Sequence, residues 1–202
     1  MQRNAQQTRQ KLVQTAYEQI HEHGFQGMRV DQVLKQAELQ KGAFYHHFKS
    51  KTELGYAVVE ESLQEILETV WLEPIRKIEN PIIEIPKLLE TLGERATPLI
   101  AEHGCPLNNL AQEMSLLDEG FRSRIAAGFE LWINTLTQKL DQAKEEKYIR
   151  HDINSEAVAR FIIAVIEGSI SIAKVEKSTQ QFIAGQSQLS LYLQALQIAH
   201  PR

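Results

Sequence analysis

The stretch of sequence that decides the fold is Gln40-Lys41-Gly42-Ala43-Phe44-Tyr45-His46-His47-Phe48-Lys49-Ser50-Lys51. Phe44 and Phe48 are four residues apart, so on a helix they share one face and point into a core. Cations, imidazoles and a phenol occupy the other faces, a combination that suits insertion into a DNA groove. Gly42, near the helix start, lets the backbone approach a partner closely. A phosphate fits there, because helix N-termini carry orphan N–H groups and the positive end of a dipole.

Two further helices are predicted before this stretch. Each carries apolar residues at the three-and-four spacing of a helix, and Gly24 stops the first of them before Phe25 re-enters the core. The apolar positions are Leu12, Val13, Ala16, Tyr17 and Ile20 in the first helix and Val30, Val33, Leu34 and Ala37 in the second. A helix, a brief turn and a second helix with a polar outward face form the helix-turn-helix arrangement. We therefore expect a small three-helix bundle that presents its third helix outward.

Over about residues 6–66 the chain resembles the DNA-binding domain of TetR-type repressors. The resemblance rests on Gly24-Phe25, on the helix at 29–37 and on the pattern Lys41-Gly42-x-x-Tyr45-x-His47-Phe48-x-x-Lys51. Three positions depart from the family. Relatives usually carry Ser or Thr at Arg29 and Gln40, and Gly at Glu38. Losing a hydroxyl N-cap costs a helix about 1 kcal/mol, so we expect the fold to survive and the phosphate contacts to differ in detail.

The resemblance also implies how the chain meets DNA. The backbone amide of Gly42 and the side chains of Lys41, Tyr45, His47 and Lys51 are expected to contact mainly phosphates. Position 46 is expected to read bases, with Ala43 and Phe44 limiting what fits. Arg29 and an N-terminal arm with Arg3 and Arg9 are expected to add phosphate or minor-groove contacts. The predicted DNA-binding set is Arg29, Lys41, Gly42, Ala43, Tyr45, His46, His47 and Lys51.

Charge is divided unevenly along the chain. Residues 1–51 carry eight Lys/Arg and four Asp/Glu, a net charge of +4. The remaining residues carry 14 Lys/Arg and 22 Asp/Glu, a net charge of −8. A basic N-terminal quarter on an acidic body is typical of a DNA-docking module joined to a body with another task. On charge alone, a solvated surface without a partner stays open as the alternative.

Every segment after residue 51 shows helical rather than strand periodicity, so we predict an all-α fold of about nine helices. We divide the chain into a DNA-binding domain of residues 1–51 and a helical sensing and dimerisation domain of residues 52–202. A long helix is expected to begin at Thr52-Glu53 and to break at Glu73-Pro74, because proline disrupts helix interiors. Further helices are expected at about 82–101, 107–116, 118–146, 155–175 and 178–199.

The segment Phe161–Ala173 is apolar almost all the way round its helix, which predicts burial on most faces. One side can face the subunit's own core and the other a second subunit, and two-fold DNA half-sites favour a dimer. TetR-type relatives pair through their last two helices, and the helices predicted here at about 155–175 and 178–199 resemble them. A monomer core is the alternative for the same residues. The candidate interface residues are Phe161, Ile162, Val165, Ser169, Ile172, Leu189, Leu193 and Leu196.

The acidic body is expected to carry a signal-sensing site. Apolar residues with a few polar ones on facing helices can line an effector cavity, although residues of this kind at helical spacing fill cores more often than they bind ligands. Asn108 is the hardest to assign to the core, since an amide on an apolar helix requires a hydrogen-bond partner. The candidate pocket residues are Leu107, Asn108, Met114, Phe129, Trp132 and Phe161.

Cys105 stands directly before Pro106, a residue that favours the first helical position. The thiol is thereby expected at a helix N-terminus, where the dipole stabilises a thiolate. The stretch from Gly104 to Leu110 resembles the same region in the branch of the family that includes repressors responding to electrophiles and reactive chlorine. In that branch the corresponding cysteine is the sensor and a lysine on the penultimate helix assists it, a role that Lys174 would take. Packing as a small core residue is the alternative for Cys105.

Several function classes find no support in the sequence. There is no phosphate-binding P-loop, dinucleotide-binding glycine motif or nucleophile elbow, so we predict no catalytic residue and no cofactor. His21 and His23 diverge on a helix and His46 and His47 are adjacent, so no metal site is expected. No stretch reaches roughly 18 apolar residues, and one cysteine fits a reducing cytoplasm.

We therefore predict a cytoplasmic, homodimeric repressor that binds double-stranded operator DNA and is released by a small-molecule effector. Two alternatives stay open. One is a thiol-based sensor of electrophiles or oxidants acting through Cys105, and the more distant one is a helical interaction module that binds no DNA. The helix at about 52–71 is expected to link the effector site to the DNA-binding module.

Overall fold

The computed structural model describes residues 2–198, apart from the side chains of residues 2–4, 94–100 and 181. Within that range the chain forms nine helices and no β-strand, and one isolated bridge joins Ile149 to Gln197. The predicted all-α class is confirmed. None of the helices, among the residues described, is both long and apolar enough to span a lipid bilayer.

The helices follow the sequence periodicity closely. We number them α1 (Gln2–Gly27), α2 (Val30–Gln36), α3 (Lys41–His47), α4 (residues 51–77), α5 (Pro81–His103), α6 (Pro106–Met114), α7 (Glu119–Glu145), α8 (Ser155–Glu176) and α9 (Gln180–Ala195). In α4, the α-helical segments Lys51–Ala57, Gln64–Ile66 and Glu73–Lys77 alternate with the π-helical turns Val58–Leu63 and Leu67–Leu72.

The break predicted at Glu73-Pro74 is wrong, because α4 continues to Lys77. Pro74 falls in the first turn of the segment Glu73–Lys77, directly after a π-helical turn. The π-helical turn before it already departs from the regular α-helical hydrogen-bond pattern, so the missing N–H of Pro74 is accommodated without ending α4.

The chain divides into two compact units. Unit 1 comprises the residues up to Ile66 together with Pro106–Gly128, and unit 2 comprises Leu67–Cys105 together with the residues from Phe129 onward. The sequence placed a single boundary after residue 51. The difference arises because the helix-turn-helix bundle is packed against α6 and the start of α7, which come from much later in the chain.

Aromatic side chains illustrate this packing in unit 1. Phe121 from α7 is fully buried, and its ring lies 4.6 Å from that of Phe25 and 5.0 Å from that of Tyr56. Gly55 makes the approach possible, since a Cβ there would lie 2.6 Å from both phenylalanine rings. The apolar residues predicted for α1, α2 and α3 are buried, except Tyr17 and Val30, which are half-buried.

Unit 2 is a helical bundle with its own core. Its buried side chains come from the second half of α4, from α5, from most of α7, and from α8 and α9. The largest of them are Trp132, Phe182, Leu72, Leu89, Leu136 and Leu140. α8 begins at an Asn154 N-cap, whose side-chain oxygen accepts from Ala157 N–H at 3.0 Å.

Candidate nucleic-acid interface

Helix α3 is anchored on one side only. Phe44 and Phe48 are 1% and 4% exposed, as predicted, and their ring centres lie 6.1 Å apart. The Phe44 ring also meets the edge of Tyr45 at 5.1 Å. These contacts fix the rotation of α3 about its axis, so the opposite face is held toward solvent.

The outward face of α3 carries the predicted side chains. Lys41, Gly42, Tyr45 and His46 are exposed, Tyr45 by 59%, while Ala43 and His47 are half-buried. A Cβ added at Gly42 would meet no described atom within 4 Å. Packing within the described part of the chain therefore does not require glycine at position 42.

His46 and His47 are in contact, with ring centres 4.8 Å apart and an edge-to-face arrangement. Burial lowers the pKa of His47, and the neighbouring charges of His46 and Arg9 lower it further. A lowered pKa favours the neutral imidazole, which both donates and accepts a hydrogen bond. His47 is thus suited to hydrogen bonding at neutral pH rather than to acting as a full cation.

The turn between α2 and α3 and the N-caps of these two helices show the effect of the three departures from the family. Glu38 adopts φ 54°, the left-handed conformation that favours glycine. Leu39 N–H closes the turn by donating to Leu34 O at 2.9 Å. Arg29 and Gln40 occupy the N-cap positions of α2 and α3, and neither makes a side-chain capping hydrogen bond. The two short helices are therefore held mainly by packing.

Lys51 is engaged within unit 1. Its Nζ donates to Gln26 O at 3.1 Å and lies 4.8 Å from the centre of the Phe25 ring. Burial lowers the pKa of Lys51, and the charge of Glu113 opposes that shift. Just before it, Ser50 caps α4 with its Oγ accepting from Glu53 N–H, and the Glu53 carboxylate accepts from Lys49 N–H.

Arg9, in the predicted N-terminal arm, makes contacts within unit 1. Its guanidinium donates two hydrogen bonds to Glu61, at 2.6 and 2.5 Å, and lies 5.2 Å over the Phe48 ring. The bond to Glu61 raises the pKa of Arg9. Arg9 therefore joins α1 to α4, whereas Arg29 is exposed and the side chain of Arg3 lies outside the described residues.

Sequence reasoning missed one residue beside this surface. Glu113, near the end of α6, accepts hydrogen bonds from the backbone N–H groups of Phe25 and Gln26, both at 2.8 Å. The partners are 88 and 87 residues apart in the chain, so no local pattern could reveal the contact.

The helix-turn-helix geometry has its counterpart among known proteins. Residues 12–58 match the family described as bacterial regulatory proteins, tetR family, and residues 87–185 match the tetracyclin repressor-like C-terminal domain. The chain belongs to the TetR family. It is accordingly a transcriptional regulator, of a family whose members bind operator DNA and act as dimers.

Individual TetR-family relatives align over nearly the whole chain. The HTH-type transcriptional repressor DhaR of a Mycobacterium species is 29% identical over 179 residues, which cover 85% of each chain. A TetR regulatory protein from Rhodobacter sphaeroides is 25% identical with a TM-score of 0.77, covering 91% of this chain and 97% of the other. The reduced form of Escherichia coli NemR is 25% identical with a TM-score of 0.75, covering 96% of this chain and 100% of the other.

The six candidate pocket residues are distributed over both units. Leu107, Asn108 and Met114 belong to unit 1, with Leu107 and Met114 buried, whereas the other three belong to unit 2. Trp132 is 1% exposed and contacts Trp71 at 4.5 Å, and its Nε1 has no hydrogen-bond partner among the described residues. The cavity beside Trp132 measures about 10 Å³, enough for one water molecule, and none of the other five residues lines it.

A larger space in unit 2 was not predicted. A groove of about 670 Å³ lies between α5 and α9, with Phe182 and Ile183 on its apolar side and Glu90 and Gln186 among its polar groups. Gln186 Nε2 donates to Leu89 O at 2.6 Å. Groups of residues far apart in sequence, 86–93 and 179–191, form this groove, so local periodicity gave no signal for it.

The eight candidate interface residues fall into two groups. Four of them, Ile162, Leu189, Leu193 and Leu196, are buried within the single chain and fill the core of unit 2. Val165 and Ser169 are half-buried, while Phe161 and Ile172 are 44% and 49% exposed. The exposed apolar face of α8 continues to Val175, which is 83% exposed.

The redox candidates both lie in unit 2. Cys105 is half-buried, packs against the apolar core of that unit and directly precedes α6, as predicted. Lys174 is exposed in the last turn of α8. Among the described residues, no group of three or more His, Cys, Asp or Glu side chains is arranged to hold a metal ion.

Proposed function

We propose that this TetR-family regulator is a repressor that binds operator DNA by placing α3 in the major groove. The observation that carries the proposal is the orientation of α3, which buries Phe44 and Phe48 and leaves Lys41, Tyr45 and His46 on a solvent-exposed face. Phosphates are contacted by Lys41, Tyr45, His47 and the Gly42 amide. His46 reads base edges, and Ala43 limits which bases fit beside it. Arg29, at the exposed start of α2, adds a phosphate contact.

Selection from a random pool of DNA duplexes tests this proposal. The protein is expected to enrich a palindromic sequence, because two half-sites related by a two-fold axis match a symmetric dimer. Failure to enrich any sequence at low salt would contradict operator binding. It would favour the alternative of a helical interaction module that binds no DNA.

We propose in addition that two copies of the chain pair through α8 and α9. The support is the apolar face of α8 that remains exposed on a single chain, which includes Phe161, Ile172 and Val175. We assign the interface to these exposed residues with Val165 and Ser169, and leave Ile162, Leu189, Leu193 and Leu196 to the core that they fill.

The effector site that we propose is the groove between α5 and α9. Its volume of about 670 Å³ lies within the range of small-molecule pockets, and its lining combines apolar Phe182 and Ile183 with polar Glu90 and Gln186. A thermal-shift screen of small, mostly apolar compounds provides the probe. A compound that raises the melting temperature of the wild-type protein is expected to lose its effect on Ile183→Trp, which fills the groove.

Release from DNA would then require the effector to favour a second conformation. We propose that α4, which runs from the end of the DNA-binding module into unit 2, changes its tilt and so alters the spacing of the two recognition helices. Half-sites have a fixed spacing, so a shift of that kind weakens simultaneous docking. A coupling free energy of about 1–3 kcal/mol is typical of such regulation.

A thiol sensor at Cys105 is the second candidate. It is supported by the half-buried position of Cys105 immediately before α6 and by the likeness to NemR, whose structure was solved in a form described as reduced. Cys105→Ser is expected to bind DNA normally and to resist release by oxidants or electrophiles. If the wild-type protein stays bound under every thiol-reactive treatment, this candidate fails and the groove remains.

A further inference from the structure

A single carboxylate holds the turn that leads into the helix-turn-helix. Gly24 interrupts α1 with φ 75° and ψ 165°, and the chain then restarts in a short helical turn. The first N–H groups of such a turn have no intrahelical partner. Glu113 Oε2 accepts from Phe25 N–H and Oε1 accepts from Gln26 N–H, each at 2.8 Å. Glu113 therefore caps this turn from a distant part of the chain, with a charge that suits its positive end.

The same turn is held from its other side by Lys51. Lys51 Nζ donates to Gln26 O at 3.1 Å and covers the Phe25 ring. The turn is therefore held through the N–H groups of Phe25 and Gln26, which bind Glu113, and through the carbonyl of Gln26, which binds Lys51. Two features of the turn favour glycine at position 24. Its positive φ disfavours a side chain, and a Cβ there would lie 2.9 Å from Glu113 Oε2.

The direction in which the chain leaves this turn determines where α2 and α3 lie. Met28, which closes the turn by donating to Gly24 O at 3.0 Å, is 1% exposed. Arg29 follows immediately as the N-cap of α2, and its side chain makes no capping hydrogen bond. The start of α2 is therefore positioned by the turn before it.

We propose that Glu113 is a positioning residue for DNA binding. It makes no contact with DNA and acts through the turn at residues 24–28, which it holds in the conformation that presents α2 and α3. The proposal rests on the proposed operator binding. It adds a residue of α6, a helix outside the sequence-defined DNA-binding module, to the set on which DNA affinity depends.

The test compares Glu113→Ala and Glu113→Gln with the wild-type protein on a duplex that the wild-type protein selects from a random pool. Removal of two charge-assisted hydrogen bonds is expected to weaken binding roughly ten- to hundredfold in Glu113→Ala. Glu113→Gln retains one acceptor oxygen, so its DNA affinity is expected to lie between those of the wild-type protein and Glu113→Ala. Hydrogen exchange at the Phe25 and Gln26 amides is expected to accelerate in both variants.

Two controls separate positioning from other effects. Leu110→Val trims a side chain in the same helix that is 1% exposed, so it lowers stability without touching the turn, and it is expected to keep its DNA affinity. Glu119→Ala removes an equal charge from an exposed position in unit 1 and is expected to bind no more weakly than the wild-type protein. Because Glu113 meets no phosphate, the dependence of affinity on salt is expected to keep its slope in both Glu113 variants.

The outcomes distinguish the two proposals. If the wild-type protein selects no duplex, operator binding itself fails. If the wild-type protein does select one and both Glu113 variants bind it with unchanged affinity, the positioning role is overturned. The positioning role is also overturned if Leu110→Val and Glu113→Ala lose equal DNA affinity at an equal loss of melting temperature. Lower stability alone would then explain the weaker binding.

Discussion

Tyr56 donates a hydrogen bond from its hydroxyl group to Asp118 Oδ1 at 2.7 Å and so joins α4 to the start of α7 within unit 1. Asp118 Oδ1 also accepts from Phe121 N–H at 2.9 Å, which makes it the cap of α7. The guanidinium of Arg124 lies 4.1 Å from the Tyr56 ring centre, and its Nε donates to Glu60 at 2.7 Å. One polar cluster thus connects the helix that leaves the DNA-binding module with a segment more than fifty residues later.

The Tyr56–Asp118 hydrogen bond is expected to make the stability of the protein depend on pH. The hydrogen bond from Tyr56, followed by that from Phe121 N–H, lowers the pKa of Asp118 from 3.8. A carboxyl group whose pKa is lower in the folded state stabilises the fold above its unfolded pKa, and this stabilisation is lost as the pH falls through the folded pKa. Tyr56→Phe is expected to melt at a lower temperature at pH 7, with a difference that shrinks toward pH 3. A difference that stays constant in thermal melts across this range would contradict the assignment.

The imidazole of His47 gives a second prediction. Burial lowers its pKa from 6.5, so this histidine favours folding above pH 6.5 and disfavours it as the pH falls through the lower folded value. An NMR titration of the His47 ring is expected to give a midpoint below 6.5. In parallel, His47→Gln is expected to lose less stability than the wild-type protein between pH 7.5 and 5.5. A midpoint above 6.5 would show that a neighbouring anion, rather than burial, dominates.

Replacing either of two glycines in unit 1 by alanine is expected to change the stability of the protein in opposite directions. Gly24→Ala places a side chain at φ 75° and against Glu113, so it should destabilise the protein by about 1–2 kcal/mol or more. Gly42→Ala meets open space in α3, and alanine favours a helix by about 0.5–1 kcal/mol over glycine. Gly42→Ala should therefore melt at or above the wild-type temperature while binding DNA more weakly. Equal affinity for Gly42→Ala and wild type would remove the proposed close approach to a phosphate.

The proposed dimer can be tested on its exposed apolar face. Ile172→Glu introduces a charge at a side chain that is 49% exposed, so the single chain is expected to stay folded while the pairing is lost. Sedimentation of wild type and variant reports the change in mass. Leu116→Glu is the matched control, since Leu116 is 98% exposed in the loop before α7 and lies outside α8 and α9. A dimer that survives Ile172→Glu would exclude this face.

Much of unit 1 could be predicted because its signals are local. The spacing of Phe44 and Phe48 set the buried side of α3, and Gly24 marked the point where the first helix is interrupted. The Ser50-Lys51-Thr52-Glu53 stretch also has the form of a capping box, a signal that could have placed the start of α4 at Lys51 instead of Thr52.

Contacts between distant residues were not predictable in the same way. The bonds from Phe25 and Gln26 to Glu113 and from Arg9 to Glu61 join helices by side chains that look like ordinary surface charges in sequence. α8 posed a different problem, because a helix that is apolar on most faces does not indicate which face meets the core. The sequence therefore grouped Ile162 with Ile172, although they are 1% and 49% exposed.

The most direct test of the account measures the affinity of Lys41→Ala for the selected duplex as a function of salt concentration. Lys41 is exposed at the start of α3, and its proposed role is a phosphate contact. Removal of one such contact is expected to weaken binding across all sequences and to reduce the slope of log affinity against log salt by about 1. Unchanged affinity and slope in Lys41→Ala, with binding still present in the wild-type protein, would show that α3 does not face the DNA as proposed.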